Sequence, residues 1–173
     1  MNPILYLGPE GTHSNEAALQ RFGEQAVLQP CLSLYDVFER LCAPNSKPRP
    51  LAIVPVENSS EGPVTQTLDQ LSAHPEVTIT EGFSIPIRNH LLALRRLRKG
   101  ETIQRVYSHP QALGQCREKL RALLPNAELM PESSTATAAR RASQEPGSAA
   151  LASSAAARIN GLTVLKRDMQ DSN

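Results

Sequence analysis

The sequence predicts an α/β protein built on mainly parallel sheets with helices on their faces. A unit of short apolar strand, polar turn and helix recurs along the 173 residues, and such alternation packs as helices over parallel strands. The turns that leave the strands are rich in hydroxyls, amides and glycine, and open α/β sheets bind ligands beyond the carboxyl ends of their strands. The length suits one good core, or two small lobes sharing a cleft.

Ile4 to Leu7 is a short apolar strand closed by Gly8-Pro9-Glu10-Gly11, and Thr12-His13-Ser14 offers a cap for a helix carrying Ala17, Ala18, Leu19 and Phe22. A short strand is expected around Ala26 to Leu28, then a helix capped by Ser33 with Val37, Phe38 and Leu41 inward. Pro44 to Pro50 is a proline-rich loop, Leu51 to Val56 a strand, and Pro63 to Leu71 a helix. Val77 to Ile79 reads as a strand, and the extended segment Gly82 to Leu94 suits a connector between lobes or a hairpin within one sheet. Ile103 to Tyr107 is a strand, and Ser108-His109-Pro110 opens a helix to about Leu123. Leu129-Met130 leads to Pro131-Glu132-Ser133-Ser134-Thr135, which caps an Ala-rich helix broken by Pro146-Gly147. Ala149 to Ala152 is a strand, Ser153-Ser154 a cap, Ala155 to Ile159 a short helix stopped by Gly161, and Leu162 to Met169 extended.

A hydrophobic content of 40%, a charged content of 20% and a net charge of +1 describe a soluble globular chain, with no electrostatic reason for a nucleic-acid or membrane partner. The basic run Arg95-Arg96-Leu97-Arg98-Lys99 lacks interleaved aromatics and reads as a solvated turn. Cys31, Cys42 and Cys116 have no Cys-x-x-Cys spacing, so neither a metal site nor a disulfide framework follows from them. No export signal and no membrane-length apolar run are visible, which suggests a reducing cytoplasm.

The most informative stretch is Ile53-Val54-Pro55-Val56-Glu57-Asn58-Ser59-Ser60-Glu61-Gly62-Pro63. An apolar run ends in a carboxyl, an amide and two hydroxyls, with Pro63 placed as a first helical residue. Asn58, Ser59 and Ser60 could simply cap that helix. Recurrence of the same turn type at Gly8 to Ser14, Ser108 to Gln111, Ser133 to Thr135 and Ser153-Ser154 favours an anion site instead. None of these turns contributes Lys or Arg. An anion there would rest on backbone N–H groups, hydroxyls and helix dipoles, a design suited to a compact carboxylate.

Leu7-Gly8-Pro9-Glu10-Gly11-Thr12, Val54 to Gly62, Val106-Tyr107-Ser108-His109-Pro110-Gln111 with Gln115-Cys116, and Glu132-Ser133-Ser134-Thr135-Ala136 together resemble the catalytic domain of prephenate dehydratases, from Ile4 to about Asn173. The resemblance implies two α/β lobes like a type II periplasmic binding protein, with the active site in the cleft between them. The first lobe would take residues 1–80 and the second 83–161, with 162–173 returning toward the first.

It also implies decarboxylating dehydration of prephenate to phenylpyruvate in phenylalanine biosynthesis, in a cytoplasmic homodimer needing neither cofactor nor metal. Asn58 and Gln115 would act on the substrate or leaving group, with Glu57 orienting them or donating a proton if burial raised its pKa. Ser59, Ser60, Gly62, Gln111, Ser133, Ser134 and Thr135 would bind substrate. His109 is tempting as an acid or a substrate contact, yet its place beside Pro110 at a helix start suits a cap.

His13 stands where the family usually has an aromatic residue. The sequence stops at Asp171-Ser172-Asn173, before the family's Asn-x-Thr-Arg-Phe motif, whose threonine is its main catalytic hydroxyl, and before the phenylalanine-binding regulatory domain. Activity of this chain alone is therefore expected to be impaired. The alternative is a non-catalytic binding module for small carboxylates on the same two-lobed fold.

Overall fold

The computed structural model of the chain describes residues 2–44, 47–59, 62–95 and 100–171. They form two compact units, Met1–Ile85 and Pro86–Asn173, with the boundary inside the extended segment around Pro86.

The first unit runs β1 (Ile4–Leu7), α1 (His13–Phe22), β2 (Leu28–Cys31), α2 (Leu34–Leu41), β3 (Leu51–Ile53), β4 (Glu57–Asn58), β5 (Gly62–Pro63) and α3 (Thr65–Ala73). Its three-stranded sheet has the order β2-β1-β3, all parallel, with Ile4 level with Leu28 on one side and Leu51 on the other. The helices begin where short polar side chains satisfy their first N–H groups. The Thr12 hydroxyl accepts from Asn15 N at 3.3 Å, and the Ser33 hydroxyl accepts from Asp36 N at 3.1 Å. Leu5, Cys31 and Val37 are the centre of its core, with Leu41, Ala52 and Val54 packed against them.

Three expectations for this unit change. Val77 to Ile79 forms no strand: Val77 N donates to His74 O at 3.0 Å in a turn, and no neighbouring strand offers a ladder. The early strand lies at Leu28–Cys31 rather than 26–28 because its register is set by pairing with β1. Pro63 does not start a helix. It lies in β5 opposite Glu57, and α3 begins at Thr65 after Val64, which supplies no side-chain cap.

The second unit runs β6 (His90–Ala93), β7 (Arg105–Ser108), α4 (Pro110–Gln115), α5 (Arg117–Leu123), β8 (Glu128–Pro131), α6 (Thr135–Gln144), β9 (Ser148–Ala152), α7 (Ser154–Ile159) and β10 (Thr163–Lys166). The sheet order is β10-β6-β9-β7-β8. Strands β9, β7 and β8 are mutually parallel, while β6 runs antiparallel to both β9 and β10. Side chains alternate across the sheet, as the two-residue period of a strand requires. Leu91, Val106, Ala149 and Leu151 meet Ile103, Leu113, Cys116, Leu120 and Met169 on one face. Leu92, Tyr107, Ala150 and Ala152 meet Ala138, Ala139, Ala142, Ala156 and Ala157 on the other.

The single helix expected from 110 to 123 is broken at Cys116 (φ −115°, ψ 12°), which ends α4 and precedes α5. Its thiol is buried in the core, which pushes its pKa up to about 12 and leaves packing as its role. Residues 162–171 pair within the second unit. Strand β10 fills the open side of β6, Met169 N donates to Asn89 O at 2.8 Å, and Asp171 N donates to Gln115 O at 2.7 Å. An open strand edge leaves N–H and C=O groups unpaired, and this nearby segment satisfies them. No helix among the described residues is long and apolar enough to cross a membrane.

Candidate functional site

In the first unit the motif around Glu57 is a tight antiparallel turn. Glu57 pairs with Pro63 and Asn58 with Gly62, and Val64 N donates to Val56 O at 2.8 Å. Gly62 has φ +82°, a left-handed conformation that a side chain would strain, so the glycine is required by the reversal itself. Asn58 is half-buried, whereas Glu57 and Ser59 are exposed. Ser60 lies outside the described residues, as do Glu61 and Arg96 to Lys99.

Two residues support this unit's turns that the sequence reading did not single out. Thr67 is fully buried and its hydroxyl donates to Pro55 O at 2.7 Å, tying α3 to the chain that delivers Glu57 and Asn58. Asn15, also buried, accepts from Gly11 N at 3.0 Å and so holds the Gly8 to Thr12 turn. That turn lies against β2, where a side chain on Gly8 would come within 2.8 Å of Pro30 Cβ. A buried polar residue in the first or second turn of a helix, just after a glycine-rich turn, is the local signal that could have marked both.

In the second unit the parallel strands β7, β8 and β9 end together. Ser108 is level with Pro131, Glu132 N donates to Ser108 O at 2.9 Å, and the Ser108 hydroxyl donates to Leu151 O at 2.7 Å. One sheet edge therefore gathers His109 to Gln111, Glu132 to Thr135, and Ser153. His109 holds the N-cap position of α4 but makes no side-chain cap hydrogen bond, so the imidazole is not spent on capping. Nε2 of Gln111 is buried and has no acceptor among the described residues, which is an unusual state for a buried amide.

Ser134 caps α6 by accepting from Thr137 N at 3.0 Å, and Ser133 is exposed beside it with its hydroxyl 3.4 Å from Thr137 Oγ1. Thr135, the first residue of α6, is buried. Ser134 is thus occupied structurally, while the N–H groups of Thr135 and Ala136, ahead of Thr137 in this ten-residue helix, are oriented for an acceptor. Arg141, on α6, lies 4.6 Å above the Tyr107 ring and donates to Glu132 at 2.6 Å.

Gln115 is half-buried at the end of α4 and is fixed through its backbone by a clamp that no local pattern announced. The Asp171 carboxylate accepts from Glu118 N at 2.9 Å and Lys119 N at 3.1 Å, capping α5 where Cys116 cannot. Lys119 Nζ in turn donates to Asp168 O at 3.0 Å and to Gln170 O. The cap comes from residues far along the chain, so reading the helix start alone could not find it. Asn58 and Gln115 belong to different units, and the geometry described is that of each unit by itself.

Comparison with known proteins decides what this donor set belongs to. The prephenate dehydratase family profile matches residues 4–173. The chain belongs to the prephenate dehydratase family. It is 40% identical to a bifunctional chorismate mutase/prephenate dehydratase of Stutzerimonas stutzeri over 97% of its own length and 45% of that protein's. It is 35% identical to a prephenate dehydratase of Lactococcus lactis subsp. lactis, covering 97% of this chain and 58% of that one. Among solved structures, the prephenate dehydratase of Arthrobacter aurescens in complex with L-Phe superposes with a TM-score of 0.81 at 35% identity, over 98% of this chain and 56% of that one. The chain thus spans about half the length of the curated relatives it matches.

Proposed function

We propose that the protein carrying this chain is a prephenate dehydratase, converting prephenate to phenylpyruvate with loss of carbon dioxide and water. Gln111 carries the reading. Its buried amide N–H lacks an acceptor among the described residues, at the sheet edge where three parallel strands end and an α-helix begins. A carboxylate is the acceptor that this donor, the first N–H groups of α6 and turns without Lys or Arg would select.

In the reaction the bond from the ring to its carboxylate breaks, and the electron pair moves into the ring. The ring C–O bond then opens, and the hydroxyl leaves as water on gaining a proton. Aromatisation supplies the driving force, so no covalent link to the protein is needed. The chain's part is to donate hydrogen bonds to the departing oxygen and to hold the carboxylates away from bulk water. Asn58 and Gln115 are assigned the donors to leaving group or carboxylate. Gln111, Ser133 and the α6 N-terminus bind carboxylate, with Thr135, Ser134, Ser59, Ser60 and Gly62 completing the substrate-binding set. His109 contacts substrate, and exposed Glu57 orients its neighbours. A cytoplasmic location and a homodimer accompany the reading; three free cysteines fit the first, and sedimentation tests the second.

Turnover is measured on this chain and on the same chain extended by the family's Asn-x-Thr-Arg-Phe segment, following phenylpyruvate by its ultraviolet absorbance in alkali. Asn58→Ala and Gln115→Ala should each lower kcat about 10²–10³-fold, the cost of one donor to a developing oxyanion. Gln111→Ala should cost about 1.5–3 kcal/mol, the worth of a hydrogen bond to a charged group. Melting behaviour should be nearly unchanged in all three. Saturable prephenate binding without turnover in either form would instead establish the non-catalytic module.

A further inference from the structure

Helices α2 and α3 of the first unit pack together and end side by side, and their C-terminal ends bring three metal-ligating side chains to one place. Cys42 is the C-cap of α2 and His74 the C-cap of α3, with Glu76 in the turn that follows. Their ligand atoms all lie within 4.8 Å of one another. His74 Nδ1 is 3.3 Å from Glu76 Oε1, with the Cys42 sulfur within 4.8 Å of both ligand groups. Phe38 stacks on the His74 ring at 5.8 Å between centroids, which restricts the ring's rotation.

We propose that Cys42, His74 and Glu76 form a binding site for a borderline-soft divalent cation of the zinc class, with water completing the coordination. The donor set is one thiolate, one imidazole and one carboxylate, which zinc takes in four-coordinate sites. Bonds of about 2.0–2.3 Å in a tetrahedron space adjacent ligand atoms by about 3.4 Å. The His74–Glu76 pair already has that separation, and the sulfur needs only to close in by side-chain rotation.

The backbone favours the same charge. Two helix C-termini converge here, each presenting carbonyls and the negative end of its dipole, and the last turn of α3 contains no basic side chain. Arg40, in the last turn of α2, is engaged by Asp36 at 2.7 Å. On binding, the Cys42 S–H bond breaks, an S–metal bond forms and one proton leaves to solvent, with no change of oxidation state. The three residues span 34 positions in sequence, from Cys42 to Glu76, at the ends of two helices and in the turn after the second, so no spacing motif betrays them.

The test is titration of the reduced full chain with cobalt(II), read as thiolate-to-cobalt charge-transfer absorbance in the near ultraviolet. One equivalent should saturate the band, and zinc should abolish it by displacement. Cys42→Ser should eliminate the band although Cys31 and Cys116 remain. His74→Ala and Glu76→Gln should weaken cobalt affinity at least about tenfold, the lower limit for disturbing even an outer ligand. In the unmodified chain, zinc but not magnesium should protect Cys42 from alkylation, read cysteine by cysteine by mass spectrometry. That measurement decides the matter even if a variant fails to fold. Absence of the band, its survival in Cys42→Ser, or alkylation of Cys42 unaffected by zinc would each overturn the site.

Discussion

The two units use the same strand, turn and helix unit but bury it differently. In the second, a five-stranded sheet is packed on both faces, and β9 is buried along its whole length as Ser148–Ala152. Alanines at 138, 139, 142, 156 and 157 bring α6 and α7 close to the sheet. In the first, three short strands support a small core, and large apolar side chains remain exposed, with Leu32 at 95% and Tyr35 at 61%. Small residues at the helix–sheet contacts let the second unit pack α6 and α7 closely on its sheet. The other relies more on polar ties such as Thr67 to Pro55 and Asn15 to Gly11.

The sharpest way to break this contrast is to truncate one leucine in each unit. Leu151→Ala removes a side chain buried on all sides and should cost about 2–5 kcal/mol, because the surrounding sheet collapses only partly into the gap. Leu32→Ala should stay within about 0.5 kcal/mol. Thermal unfolding with hydrogen exchange resolved by segment would assign each loss to its unit. A large cost at Leu32 would show that the first unit's core is more extensive than its buried residues indicate.

A smaller effect probes the polar ties. Thr67→Val keeps the shape but leaves Pro55 O without its donor, and should cost about 1–3 kcal/mol, confined to exchange in the first unit. Equal exchange in both units would mean that Thr67 is not a local tie.

The smallest effect is electrostatic and belongs to the second unit. Glu145 accepts from the Tyr107 hydroxyl at 2.7 Å and from Arg105, and these bonds hold its carboxyl below the usual range, the tyrosine first. A depressed carboxylate contributes stability that is complete above its unfolded pKa of about 4.3 and is lost as pH falls through the folded value. The melting temperature should therefore fall on acidification below about pH 4.3, and less steeply in Glu145→Gln. Identical slopes in the two proteins would remove Glu145 from the acid response.

The local rules were readable wherever the chain's own neighbours decide them. Thr12, Ser33, Ser134 and Ser153 are all helix caps in the structure, because capping needs only a short oxygen-bearing side chain three residues from an N–H. The turns that gather at the ends of β7, β8 and β9 were legible too, since alternation of strand and helix implies their common edge. Pro63 misled because a helix start and an edge strand both tolerate a missing N–H, and only pairing with Glu57 separates them. Val77 to Ile79 misled because strand propensity is realised only where a partner strand is available.

What the sequence determined by itself is local: the order of strands and helices, the capping hydroxyls and the amide-rich turns without Lys or Arg, each set by residues within about four positions. Tertiary structure alone decided that β10 closes on β6, that Asp171 caps α5, and that Cys42 meets His74 and Glu76. Those contacts join residues distant in the chain, and their energy depends on which groups burial leaves unsatisfied, a quantity that exists only once the chain has folded.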